Sequence, residues 1–224
     1  MGNSLNISFM NLVKDAFFFP FRGNGKVMLI FGGILGVISD LASLAPMLGI
    51  FASVLILGYF IAIYFQIIQS TATGANEAPD YPEISNIVED LAYPVLQVIF
   101  VGFISFIPLI VMAAYTIGTL TLGVVLGVAY FPMAMMAVVV LGELRAANPL
   151  FVVRSIVSAG GLYWVAVTSL LILYFVETLV VEILGGSFII GSLIAAFLGM
   201  YTLMANGRIL GLIYREKEEE LGWL

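Results

Sequence analysis

Histidine and cysteine are absent from this sequence, and only 10% of its 224 residues are charged. The first two absences remove zinc sites of the usual kind, haem held by histidine, thiol nucleophiles, disulfides and the Ser-His-Asp arrangement. A chain without thiols is also indifferent to redox compartment. No GxxxxGK[ST] loop occurs: GNGK at 23–26 runs on into Val27 and reads as a turn. Basic residues are few and scattered under a formal charge of −6, which excludes a phosphate-tracking surface for nucleic acid. The opening MGNSLNISF lacks the basic residue of a secretory leader, and Asn6 stands where myristoylation wants Ser or Thr. The expectation is a retained, cytoplasmic N-terminus, no cofactor, no metal and no enzymatic activity.

Apolar surface, by contrast, is abundant. Hydrophobic residues make up 62% of the chain and the mean hydropathy is +1.15, beyond what a soluble domain carries. A bilayer core of about 30 Å takes about 20 apolar residues per helical crossing. Six runs of that length are present, at 26–44, 47–70, 94–115, 118–141, 161–181 and 186–205. The runs are continuous rather than alternating at period two, so a β-barrel is excluded. Short turns near 45–46, 116–117 and 183–185 join the spans in pairs, and long polar connections at 71–93 and 142–160 separate the pairs. The predicted fold class is an all-α polytopic integral membrane protein, with six transmembrane helices as three hairpins. It forms one membrane domain, 1–224, with sub-units 1–73, 74–141 and 142–224.

Six spans place both termini and both long connections on one side of the membrane. Lys14, Arg22, Lys26, Arg145, Arg154, Arg208, Arg215 and Lys217, which are all the basic residues, fall on that side. The positive-inside rule makes it cytoplasmic, so a multi-pass protein of the cytoplasmic (inner) membrane is expected. The first long connection carries only the acids Glu77, Asp80, Glu83, Glu89 and Asp90, which contribute little to orientation.

Each hairpin has an amphipathic prelude. In NLVKDA, Phe9, Leu12, Val13 and Ala16 fall on one helical face, opposite Ser8, Asn11, Lys14 and Asp15. In NIVEDL, Ile84, Ile87, Val88 and Leu91 oppose Ser85, Asn86, Glu89 and Asp90. In FVVRSIVS, Val152, Val153, Ile156 and Val157 oppose Arg154, Ser155 and Ser158. Pro82 and Pro149 suit first-turn positions, and Asn148 suits a cap. Each prelude is predicted as a helix lying in the interface. Aligning Asn11, Asn86 and Phe151 gives offsets of 75 and 65 residues, the spacing of a pseudo-threefold internal repeat about the membrane normal. The alternative is that any amphipathic helix entering a membrane looks somewhat like another.

This layout, the stretch GANEAPDYPEISNIVEDL and the ending GRILGLIYREKEEELGW resemble the prokaryotic multi-spanning family catalogued as domain of unknown function 4013. More remotely, the chain is similar to the membrane domains of some glycerophosphodiester phosphodiesterases, where an Asn-Pro-led helix also precedes hairpins. The resemblance covers nearly the whole chain and implies the fold. It brings no activity and no catalytic residues.

Polar groups inside the spans are the candidates for function. Asp40, Glu177 and Glu182 lie toward the outer ends of spans one and five and form a candidate intramembrane polar handle for a proton or cation. Glu177 lies six residues in from Ile183, about 9 Å along a helix. It is therefore protonated, facing a wet cavity, or nearer the surface than the span boundary puts it. Glu77, Asp80 and Glu83 recur every three residues, but Pro79 and Pro82 interrupt them and a solvated acidic loop is favoured over a cation site. The run REKEEE reads as the solvated end of the last helix, with Arg215 and Glu219 four apart. Gly32 and Gly36, Gly123 and Gly127, and Gly207 and Gly211 are spaced for close helix packing. Pro108 and Pro132 are predicted kinks. Tyr163, Trp164 and Tyr201 suit interface or bundle positions, and Trp223 suits an anchor for the tail.

Two functions stay open. One is a non-enzymatic scaffold, assembly or lipid-organising component whose partners are membrane lipids, a membrane protein or further copies of itself. The other is a small transporter or channel for an ion or amphipathic solute. Its polar path would draw on Gln66, Gln69, Glu177, Asn206, Thr116, Thr119 and Thr121. An intramembrane lipid enzyme has the least support, because it would rest on a few carboxylates.

Overall fold

The computed structural model describes residues 11–42, 44–113, 116–184 and 188–223, with 46–48 and 188–189 described by backbone alone. The predicted positions Ser8, Phe9, Tyr115, Gly185 and Gly186 lie outside the described residues. The described chain is all-α and without β-strands, apart from one parallel bridge between Gly23 and Ala78. Helix α1 runs over 11–18 of the described chain and is followed by a 3-10 turn at Phe19–Phe21. Next come α2 (Gly25–Ala42), α3 (Pro46–Ala72), α4 (Tyr93–Ser105), α5 (Ile107–Met112), α6 (Ile117–Leu141), α7 (Pro149–Leu184) and α8 (Phe188–Leu221). Six candidate membrane-crossing helices emerge by length and hydropathy: Gly25–Ala42, Gly49–Ala72, Val88–Ser105, Ile117–Leu141, Pro149–Leu184 and Ile190–Leu221.

Helix α8 is the spine, packed along α2, α3 and α7, while α6 packs against α4, α5 and α7. Burial is uneven along the bundle. Seven consecutive residues of α6, from Met133 through Val139, are buried on every side, together with Ile67 and Ile68 of α3 and Ile209, Leu210 and Ile213 of α8. At the other end the apolar side chains face outward: Ile117 is 84% exposed and Ile183 74%. An outward apolar surface of this extent needs lipid to cover it. The buried end is the one where α1, the 73–92 connection and the start of α7 gather around the spans.

Several predicted elements take a different form. Residues 84–91 are not a separate amphipathic helix. The chain is irregular through Asn86 and becomes helical at Ile87, then passes through a π-type turn at Val88–Ala92 directly into α4. Local hydrogen bonds set this boundary. Asp90 Oδ2 accepts the backbone N–H groups of Ser85 and Asn86, both at 2.8 Å, and Asn86 Oδ1 accepts the N–H of Val88 at 3.0 Å. Pro82 accordingly sits in irregular chain rather than in a first helical turn. Pro94 has no N–H to continue the ladder, and Tyr93 N–H reaches back to Val88 O in the wider turn.

The third predicted span, 94–115, is broken rather than kinked. Helix α4 ends at Ser105, Phe106 leaves the helical region at φ −103° and ψ 10°, and Pro108 opens α5. Proline's missing N–H and its ring clash with the residue four back account for the break. Pro132, in contrast, is carried inside a continuous α6, which starts on a Thr116–Thr119 capping box.

The third prelude is helical and capped as expected, with Asn148 Oδ1 accepting Leu150 N–H at 2.9 Å. Gly160, at φ 62° and ψ −143°, bends it away from the rest of α7. Its faces differ from the prediction. Val152, Ser155 and Ala159 are buried against the bundle, whereas Val153 and Val157 point outward. Helix α8 continues well past the predicted end of span six, to Leu221, so the acidic run is the helical end of the spine. Lys217 pairs there with Glu220 at 2.9 Å, three residues on, rather than Arg215 with Glu219.

Candidate functional site

The most heavily buried charge in the described chain is Arg208 of α8, whose side chain is 2% exposed. Its Nε donates to Asp15 Oδ2 of α1 at 2.8 Å, and its Nη1 donates to Thr71 Oγ1 at 3.3 Å and to the carbonyl of Ala75. The guanidinium also stacks over the Phe19 ring, 4.9 Å from its centroid. Arg22 makes a second ion pair with Asp15 on the rim. Burial alone would raise the Asp15 carboxyl, but hydrogen bonds and attraction from Arg22 and Arg208 outweigh it and hold the group below its ordinary value. The neighbouring turn closes over this node. Asn24 Nδ2 donates to Asp80 Oδ1 at 2.8 Å, and Gly23 bridges to Ala78. One cation thereby ties α1, the first turn, α3, the acidic connection and α8 together.

The apolar face predicted for α1 supports this arrangement, since Leu12 and Ala16 are buried in the protein core. Its polar face is not simply solvated, because Asp15 reaches inward to Arg208. Sequence reasoning placed Arg208 among the basic residues beyond the last span and missed this pairing. The available signal was an arginine flanked by apolar residues and small Gly207 and Gly211, with an acid alone on the opposite prelude.

Asp40 and Glu177 both meet α8, at different heights. Ser192 Oγ donates to Asp40 Oδ2 at 2.6 Å, and the Glu177 carboxylate lies over Gly199. Those two α8 positions are seven residues apart, about 10 Å along the axis. Glu182 is exposed on α7. Glu77, Asp80 and Glu83 do not converge, and among the described residues no group of three acids is placed to hold a metal ion.

The paired glycines lie at close helix approaches. A Cβ on Gly32 would run into Met200, one on Gly36 into the Cβ of Ala196 at 2.7 Å, and one on Gly123 into the backbone of Leu109 at 2.6 Å. Gly127 faces the Phe106 ring, Gly207 faces Ile67 and Gly211 faces Thr71. Gly207 and Gly211 thus let α8 press on α3 on either side of Arg208. Trp223 secures the tail: its Nε1 donates to Ser155 Oγ at 3.0 Å, and its ring packs on Tyr214 and Phe151.

Two of the cavities among the described residues bear on function. An apolar groove of about 490 Å³ opens where the third span breaks, lined by Ile104, Pro108, Leu126, Val153, Val157 and Trp164. Two hydroxyls at its wall are satisfied internally, Ser105 Oγ by Val101 O at 2.7 Å and Tyr130 OH by Ala147 O. The second cavity, about 350 Å³, lies between α3, α4 and the end of α6 and has glutamines in its wall and acids among its lining.

These features define a helical membrane protein with a tightly locked end and a remainder whose apolar side chains face outward. Comparison with protein-family models, with curated proteins and with solved structures finds no match to the chain.

Proposed function

We propose that the chain is a non-enzymatic membrane component that organises lipid and assembles with lipids or a membrane protein, in a cytoplasmic membrane with both termini inside. The observation that carries this is the apolar groove at the break after Ser105. Its lining is aliphatic and aromatic, it lies among membrane-crossing helices, and it borders the outward face of the bent start of α7, where Val153 and Val157 point away from the bundle. An aliphatic chain is the occupant that such a wall recognises. Packing of α2 with α3, α5 with α6 and α7 with α8 supports the three-hairpin arrangement. The helical first and third preludes support a repeat with two well-formed feet, and the proposed kinship with the family of unknown function rests on the stretches quoted above.

The test is native mass spectrometry of the gently extracted full chain beside Leu126→Trp, which fills the groove. Lipid retained by the wild type and lost from the variant is the expected result. Equal lipid retention by both sinks the reading. A second reading, a small transporter or channel, is favoured by the glutamine-walled cavity, and flux across liposomes that is lost in Gln66→Leu would support it.

A further inference from the structure

The second cavity contains polar groups that the fold leaves unused. Gln97 is 5% exposed and lines the cavity, yet its amide takes part in no hydrogen bond among the described residues. The buried Gln66 Oε1, from a second lining residue, is also without a partner. Buried amides are almost always hydrogen-bonded, so the orphaned Gln66 Oε1 is costly, whereas the Gln97 amide lines the cavity and can bind what enters it. Their neighbour Gln69 shows the contrast: its Nε2 donates to Val139 O at 3.0 Å, satisfying a carbonyl in the last turn of α6.

The lining also carries Glu83, Glu89 and Asp90 and contains no lysine or arginine. Asp90 spends Oδ2 on Ser85 and Asn86. None of the three acids is in an ion pair among the described residues. The acids are not gathered as a metal would need. What they offer instead is a negative field above the Gln97 amide, with the Tyr93 ring alongside. A compact cation with several N–H donors and an apolar stem matches that combination.

We propose that this cavity binds a primary alkylammonium group, with Gln97 accepting from its N–H donors and Glu83, Glu89 and Asp90 supplying the opposing charge. The group is either that of a free polyamine or that of an amine-bearing lipid headgroup. The inference stands apart from the lipid-organising reading, because the apolar groove is a different cavity.

The full chain in nanodiscs of phosphatidylcholine, which has no primary amine, is titrated with spermidine by calorimetry. The expected result is saturable binding, one per chain, weakened about tenfold by Gln97→Leu and a few-fold by the exposed Glu89→Gln. Tetramethylammonium, which has no N–H, should not compete, whereas ethylammonium should. If spermidine does not bind, nanodiscs containing phosphatidylethanolamine distinguish the headgroup source: one such lipid retained per chain in native mass spectra, and lost from Gln97→Leu, upholds the proposal. Absence of both kinds of binding overturns it, as does binding that neither variant alters. Because Glu89 is exposed, Glu89→Gln keeps the test valid if Gln97→Leu does not fold. Leu126→Trp should leave spermidine binding unchanged, so failure here is separable from failure of the groove.

Discussion

Replacing Asp15 with asparagine should destabilise the protein far more than its position in a short terminal helix suggests. The substitution keeps the shape and one acceptor oxygen but leaves the guanidinium of Arg208, whose side chain is 2% exposed, without its counter-charge. Breaking a buried ion pair from one side costs about 3–5 kcal/mol. The low end applies here, because Thr71 Oγ1, the Ala75 carbonyl and the Phe19 ring still face the cation. The Arg22 contact adds little, since that side chain is 41% exposed and exposed pairs are worth about 0–1 kcal/mol. A loss of about 3 kcal/mol corresponds to a fall in Tm of about 6–12 °C for a chain of this size. Thermal unfolding of the detergent-solubilised protein measures it. Arg208→Met removes the buried charge itself, so adding it to Asp15→Asn should recover part of the loss, with a coupling of about 1–3 kcal/mol. An Asp15→Asn variant within about 0.5 kcal/mol of wild type, or two substitutions whose effects simply add, would refute the reasoning.

Three further outcomes follow from other parts of the structure. Asp15 is held below its ordinary carboxyl value, so its ion pairs contribute fully above the unfolded-state pKa of about 3.9 and are lost as pH falls through the lower folded value. The Tm difference between wild type and Asp15→Asn should therefore be constant from neutral pH down to about 4 and shrink below it, and a gap that narrows near pH 6 would contradict this. Gly36→Ala should cost about 1–3 kcal/mol because its Cβ meets Ala196 on α8, whereas Gly102→Ala, with open space around it, should be neutral or slightly stabilising; equal Tm values for both variants would show that α2 and α8 do not meet this closely. Gly160→Ala should cost about 1–3 kcal/mol through its φ of 62° and ψ of −143° despite open space for the methyl, and a Tm unchanged from wild type would mean α7 is straight there.

Length and periodicity are local properties, and they are legible in the sequence. Uninterrupted apolar runs of about 20 residues dictate membrane-crossing helices because an unpaired peptide group in hydrocarbon is prohibitively costly. The buried face of α1, the cap at Asn148 and the glycine spacings at 32 and 36 or 207 and 211 were readable for the same reason, since each depends on residues a turn or two apart. The limits of that reading are equally physical. Periodicity alone marked 84–91 as a helix, but side-chain bonds from Asp90 compete with the helical ladder and delay it to Ile87. Apolar length alone made 94–115 one span, but Pro108 divides it.

Pairings between distant positions were decided only by tertiary structure. Asp15 and Arg208 are 193 residues apart and meet because α1 folds back on the end of the spine, where Gly207 and Gly211 let α8 and α3 close together. Gln66 and Gln97 line one cavity because α3 and α4 flank it; the sequence offers Gln66 for a polar path but nothing that pairs it with Gln97. Sequence determined which segments leave water, because that choice depends on local composition. Tertiary structure decided which polar groups carried with them find partners and which stay open to a ligand, because that depends on geometry between helices.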